Sequence, residues 1–317
     1  MTESLSDQDL KHILNCQFGE WYKLFKRDTP KARVLDCPED FRRWLLADGM
    51  VLPDNGELSD DGSDRSDSDD DSDAGFTQAS AIPQEFDSLV KETIRSLDGE
   101  VAPKLNWSAP RDAVWISPTN DMRCINANDV YMLIKSSDYC TFDLTKSLGN
   151  KGPPKLTLVL REWFDIHRSL EFRCFVKDGE LIGVCQRDLN FYDFLAPLRT
   201  KIQDILTEFS TKLVDKFPDS SFVFDAYIPK SYNRAWLIDI NPWLDRTDTL
   251  LFDWEELRSW DKPFELRLIG KLDSTRDFGS KPHTANYVPH DLVDMPRENV
   301  EELVDKLRES YRDQQKE

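Results

Sequence analysis

The chain has no long apolar run. No stretch approaches the roughly 20 consecutive apolar residues that a membrane-spanning helix needs. The opening MTESLSDQDL has neither the basic start nor the apolar segment of a signal peptide. Zinc-type clusters of cysteine and histidine are missing as well: the six cysteines (Cys16, Cys37, Cys124, Cys140, Cys174 and Cys185) include no CxxC pair, and no histidine falls at zinc-ligand spacing. Buried free thiols in a reducing compartment are therefore expected, with a cytoplasmic location and no membrane partner. Basic residues are in deficit, 41 Lys and Arg against 60 Asp and Glu, and the net charge of −19 repels the phosphates of nucleic acid. That removes free DNA or RNA as a direct partner. The absence of an HRD-type catalytic loop and of DFG excludes a protein kinase.

What is present is enough apolar material for a substantial core, 39% hydrophobic residues with nine tryptophans in 317 positions. Residues 9–26 space Leu10, Ile13, Leu14, Phe18, Trp21 and Phe25 as one amphipathic helix, ARVLDC reads as a strand, and PEDFRRWLLADG reads as a helix opened by Pro38. From about 55 to 79 the chain is mostly Asp, Ser and Gly. Within 57–73 nine acids face Arg65 alone, so this segment is expected to be a disordered loop, with Ser59, Ser63, Ser66 and Ser68 set among acids as an acid-directed kinase would require. The rest of the chain still carries about −11.

Helical spacing returns in IPQEFDSLVKETIRSLDG. EVAPKLNWSAPRDAVWIS reads as strand, turn and strand, and DVYMLIKSS, KLTLVLREWF, LEFRCFVKDGELIGVCQRD, SFVFDAYI and RAWLIDINPW read as further β-runs. Asp178-Gly179 suits a type I′ hairpin turn. PLRTKIQDILTEFSTKLVDKF is an amphipathic helix, and ENVEELVDKLRESYRDQQKE is a helical tail with the stripe Val300, Leu303, Leu307 and Tyr311. The fold class expected is α+β with mainly antiparallel sheets.

Two of the strand-like runs carry acids among apolar neighbours, Asp225 in FVFDAYI and Asp239 in WLIDINPW, and Asn241 follows two positions later on the same strand face. Aspartate is costly to bury unpaired. Oxygen ligands of this kind call for a hard cation, and Mg2+ suits them because it is commonly held by one or two carboxylates together with substrate phosphates. The alternative is that Asp225 pairs with a buried arginine while Asp239 caps a turn at Pro242. Lys104, Lys135, Arg161, Arg173 and Arg187 punctuate the strand-like runs upstream and could meet a triphosphate.

In this order the pieces resemble the ATP-grasp fold. At closer range PKLNWSAPRDAVWI, KSSDY, REWFDI, EFRCFV, QRD and DINPW are similar to strings of the cell division cycle protein 123 (D123) family over roughly residues 10–280. The resemblance implies a two-lobed, ATP- and Mg2+-binding assembly chaperone for eukaryotic translation initiation factor 2. It would act as a monomer on the gamma subunit, promote its joining with the alpha subunit, and so support translation initiation and the cell cycle. The lobes would be 1–154 and 155–290, followed by a tail at 291–317.

The same resemblance sets Lys104 on the phosphates, with Asn106, Trp107, Ser108 and Arg111 in the covering loop. Arg161 and the hinge residues Glu162, Trp163 and Phe164 would surround adenine, with Asp165 or His167 near the ribose. Arg173 and Arg187 would clamp the phosphate tail, and Asp225, Asp239 and Asn241 would hold the metal. SAPRDA lacks the glycines that many ATP-grasp enzymes carry in this loop, which points to a held nucleotide rather than fast turnover, with no catalytic residue assigned. The rival reading is an ATP-grasp ligase acting through an acyl-phosphate.

Overall fold

A computed structural model describes residues 5–49, 52–53, 82–152 and 154–271. The chain divides into two units, Met1–Lys271 and Leu272–Glu317, and everything described belongs to the first. The acidic run at 55–79 and the C-terminal helical tail lie outside the described residues.

Helices α1 (Asp7–Asn15) and α2 (Phe18–Phe25) replace the single helix expected at the N-terminus. Ser6 opens α1 through a capping box with Asp9. The break at Cys16–Gln17 has a tertiary cause, because the Phe18 amide donates to the Asn106 carbonyl at 2.8 Å. Strand β1 (Ala32–Asp36), helix α3 (Glu39–Leu46), helix α4 (Gln84–Ser96) and strand β2 (Val101–Lys104) follow as the patterning indicates. Two runs read as strands are helical instead. VWIS falls in a 3-10 helix, Arg111–Ile116, and DVYMLIK forms α5 (Ala127–Lys135), whose start is fixed by the Asn126 side chain accepting from the Asp129 amide at 2.9 Å. Its Val130, Leu133 and Ile134 satisfy a helical period, and that face is buried.

Helix α6 (Asp138–Thr145) and strand β3 (Thr157–Glu162) complete the first half; the hairpin β4 (Glu171–Lys177) and β5 (Glu180–Gln186), helix α7 (Arg199–Val214), strands β6 (Phe222–Tyr227) and β7 (Trp236–Pro242), helix α8 (Trp254–Arg258) and strand β8 (Glu265–Arg267) complete the second. Asp178 (φ 51°) and Gly179 (φ 84°) are both left-handed, as a type I′ turn requires.

Among the described residues there are two sheets, β1-β3-β2 and β7-β6-β4-β5-β8, antiparallel throughout except for β5 with β8. The chain passes from one sheet to the other once, through 163–170. Strand β3, placed by the sequence on the second-lobe side of residue 154, is the central strand of the first sheet. One core packs α3 to α6 against that sheet through Phe41, Trp44, Val90, Tyr131 and Leu158. A second joins α2, α7 and the larger sheet through Trp21, Phe25, Leu206, Phe172 and Phe224. Successive strand residues face opposite ways, so Phe172 and Cys174 enter the α7 core while Arg173 faces away from it.

Candidate functional site

Register puts the charged residues in a row. Arg173 on β4 lies directly opposite Asp225 on β6, and Asp225 directly opposite Asp239 on β7. Asn241 follows Asp239 on the same face. A register shift after Asp225 skips Ile238, and the Ile238 carbonyl accepts from Arg161 of the other sheet at 3.1 Å.

Asp225, 1% exposed, accepts from Arg173 through both carboxylate oxygens, each at 2.8 Å, and from Arg187 Nε at 3.1 Å. Arg187 and Arg111 both approach Glu171, at 3.5 and 2.9 Å. Across the gap between sheets, Lys104 Nζ donates to Asp239 Oδ2 at 2.6 Å and also to the Trp107 carbonyl. Four cationic side chains thus meet Glu171, Asp225 and Asp239, and Arg161 lies beside them on the Ile238 carbonyl, an excess of positive charge inside a protein of net −19. Burial pushes Lys104 below the ordinary ammonium value, opposed by Asp239. Arg161 is likewise lowered by burial. For Arg173 and Arg111 burial acts the same way, but Asp225 and Glu171 respectively outweigh it and raise them.

The other sequence-predicted residues divide by what their groups touch. Lys135 is outside the cluster: its ammonium donates to the Trp44 and Ala47 carbonyls at the end of α3, at 2.5 and 2.8 Å. The Asn106 amide donates to the Lys155 carbonyl at 2.8 Å and accepts from the Thr157 amide at 3.0 Å, tying the loop to the start of β3. Trp107 Nε1 donates to the Ile13 carbonyl at 2.8 Å. In the hinge, the Glu162 and Trp163 amides donate to the Lys31 and Glu100 carbonyls. Phe164 packs near Tyr227 with ring centroids 5.8 Å apart, and His167 is exposed.

Sequence reasoning passed over Asp143 and Glu171. Asp143, buried on α6, accepts from the Trp107 and Ser108 amides at 2.9 and 2.8 Å and from the Ser108 hydroxyl at 2.8 Å, which fixes the loop following Lys104. Nothing local marks it. Glu171 is signalled by its period-two spacing to Arg173, which puts both on one strand face.

Burial raises the Asp143 carboxyl to about 6 from an ordinary 3.8, against the pull of those hydrogen bonds and of Lys104. The folded state therefore binds this proton more tightly than the unfolded chain, and the Asp143 contribution makes stability fall as pH rises from 3.8 to about 6. A rise of that size is equivalent to about 3 kcal/mol. Urea unfolding from pH 3.5 to 7 should show this slope diminished in Asp143→Asn; an identical pH profile would refute the assignment.

Among the described residues no group of three or more His, Cys, Asp and Glu side chains is placed to hold a metal. A cation here would rest on two carboxylates and an amide, hard oxygen donors of the kind Mg2+ accepts while keeping waters. Asp239 and Asn241 fit that demand. Asn241 Nδ2 is buried without a partner, and turning the amide over presents its carbonyl oxygen in that place. Asp225 fits less directly, since arginines already take both of its oxygens.

The architecture is that of an α+β protein with a buried, cation-rich cluster where two antiparallel-rich sheets meet. The family model described as D123 matches residues 21–296, and the chain belongs to that family. Cell division cycle protein 123 of Yarrowia lipolytica is 44% identical over 315 residues, covering 96% of this chain and 84% of the relative. The translation initiation factor eIF2 assembly protein of Botryotinia fuckeliana is 42% identical over 280 residues, covering 83% and 68%. The solved structure of C-terminally truncated Cdc123 from Schizosaccharomyces pombe superposes with a TM-score of 0.70 at 40% identity, over 83% of this chain and 98% of that one. No helix among the described residues is long and apolar enough to cross a membrane.

Proposed function

We propose that this chain binds ATP with Mg2+ where its two sheets meet, in an ATP-grasp-like arrangement of two lobes, and serves as an assembly factor for eukaryotic translation initiation factor 2 through the gamma subunit. One observation carries the nucleotide half: Lys104 and Arg161 from one sheet reach Asp239 and the Ile238 carbonyl on the other, on the strand that ends the row of Arg173, Asp225 and Asp239, which Asn241 extends. An excess of buried guanidinium and ammonium groups suits a polyphosphate. The assembly half is supported by the names of relatives about two-fifths identical along most of the chain.

In this reading Lys104, Arg111, Arg161, Arg173 and Arg187 neutralise phosphate. Asp239 and Asn241, with Asp225 opposite, would hold Mg2+, which when bound supplies further charge neutralisation. Adenine would lie at 162–167, pairing through carbonyl groups or through the backbone from Phe164 onward, because the Glu162 and Trp163 amides are engaged elsewhere. The 105–108 loop is held by Asp143 and Asn106, so it positions the Lys104 ammonium rather than flapping over it.

Lys104→Met keeps the length of the side chain and removes its charge. It should weaken Mg-ATP binding at least about tenfold by calorimetry, roughly 1.4 kcal/mol, in a protein whose circular dichroism is unchanged. Unaltered affinity would refute the nucleotide half. Failure of the unaltered chain to retain purified gamma subunit, with or without Mg-ATP, would refute the assembly half.

A further inference from the structure

One surface of this acidic protein carries the opposite sign. The segments 26–31 and 229–236 hold Lys26, Arg27, Lys31, Lys230 and Arg234, with Asp28 as the sole carboxylate between them. They are joined in space: the Leu237 amide donates to the Asp28 carbonyl at 2.7 Å, and the Thr29 hydroxyl donates to the Leu237 carbonyl at 2.7 Å. Lys201 of α7 reaches the same place, its ammonium 5.6 Å from the centre of the Tyr232 ring. Lys26, Arg27, Lys201, Lys230 and Arg234 are all exposed, and among the described residues none of these five forms an ion pair. Lys31 is engaged, 3.6 Å from Glu162.

Three of the five are held by aromatic rings, Lys201 by Tyr232 as above. The Arg234 guanidinium lies 3.6 Å over the Trp236 ring, and Lys26 lies 5.9 Å from the centre of Tyr22. A ring face orients a cation without cancelling its charge, and a stacked guanidinium keeps its N–H edge turned outward for a carboxylate. Other surface cations are neutralised by acids, as Lys212 is by Glu208 and Arg267 by Glu256. Here three cations are positioned by rings, and all five are left without an acid partner among the described residues.

We infer that this patch is a docking surface for an acidic segment of a protein partner, one presenting several Asp or Glu side chains in sequence. A polynucleotide is the poorer fit for two reasons. The Trp236, Tyr232 and Tyr22 faces on which bases would stack are covered by the chain's own cations. The net charge of −19 also repels a long polyanion that extends past the patch. A short acidic segment feels attraction at the patch and repulsion elsewhere, so the same charge distribution guides it to this surface.

The test uses the full chain and a fluorescein-labelled oligoglutamate, read by anisotropy at low and moderate salt. The unaltered protein should bind it, more weakly as salt rises. The triple variant Lys26→Glu, Lys230→Glu, Arg234→Glu should bind at least about tenfold more weakly. A control variant with three reversals on other surfaces, Lys11→Glu, Lys212→Glu and Lys262→Glu, should lose far less. No binding at low salt, equal loss in both variants, or tighter binding of an oligouridylate of matched charge would each overturn the proposal.

Discussion

Asp239→Asn should bind metal-free ATP more tightly than the unaltered chain, and should lose the gain that magnesium gives. The reason is the 2.6 Å contact between Asp239 Oδ2 and Lys104 Nζ, formed between two sheets by residues 135 positions apart. An anion that takes Lys104 from Asp239 leaves a carboxylate without its cation, and a metal that takes Asp239 leaves an ammonium without its acid. Either uncompensated group is costly in a low-dielectric setting. Metal and polyphosphate arriving together exchange the pair for two new ones, and neither group is stranded. With asparagine at 239, phosphate no longer competes with a carboxylate for Lys104.

Calorimetry with ATP in chelator and then in magnesium measures both halves of this expectation. An affinity gain of about tenfold in chelator corresponds to 1.4 kcal/mol, well within the cost of breaking one buried ion pair. Should the unaltered chain fail to bind Mg-ATP at all, the nucleotide reading itself falls. Should it bind while Asp239→Asn shows no gain in chelator, the Lys104–Asp239 pair has no part in the coupling.

The legible parts of this molecule were those written in period and punctuation. The hairpin at Asp178-Gly179 was readable because the turn needs left-handed backbone at both central positions. The acids at 225 and 239 stood out because aspartate is rare among apolar strand residues. Helix α5 was misread because Tyr131 and Leu133 alternate well enough for a strand, and its capping asparagine, Asn126, lay outside the run considered. The VWIS run failed for a similar reason, apolar residues without a sheet neighbour to pair with.

Within the site, sequence supplied most of the participants and few of their pairings. That Arg173 would meet Asp225 was one of two open alternatives, and the contact exists; Asp239 meets Lys104 rather than a turn at Pro242. Lys135 looked equivalent to Lys104 as a cation in an apolar run, yet it closes the end of α3 because α5 packs there. Asp143 had no local signature, since its partners are amides some 35 residues earlier in the chain. Such contacts are set by how the sheets and helices pack, which a one-dimensional period does not encode.

Asp225→Ala should cost about 3–5 kcal/mol of stability, the range for breaking a buried ion pair by removing one partner. The substitution leaves the buried Arg173 guanidinium with the Asp248 carbonyl, at 2.6 Å, as its remaining acceptor in place of two carboxylate oxygens. At roughly 2–4 °C per kcal/mol for a unit of this size, the melting temperature should fall by about 10 °C. Replacing both partners by apolar residues, Arg173→Met with Asp225→Leu, should recover much of that loss, since no buried charge is then stranded in the pair. The comparison also separates the two roles available to Asp225. A large loss in the single variant with recovery in the double makes Asp225 first an arginine partner that braces β4 against β6, and leaves Asp239 and Asn241 as the principal metal ligands. Full stability in Asp225→Ala, together with loss of the magnesium effect on ATP affinity, would instead make it a metal ligand whose contact with Arg173 contributes little to the fold.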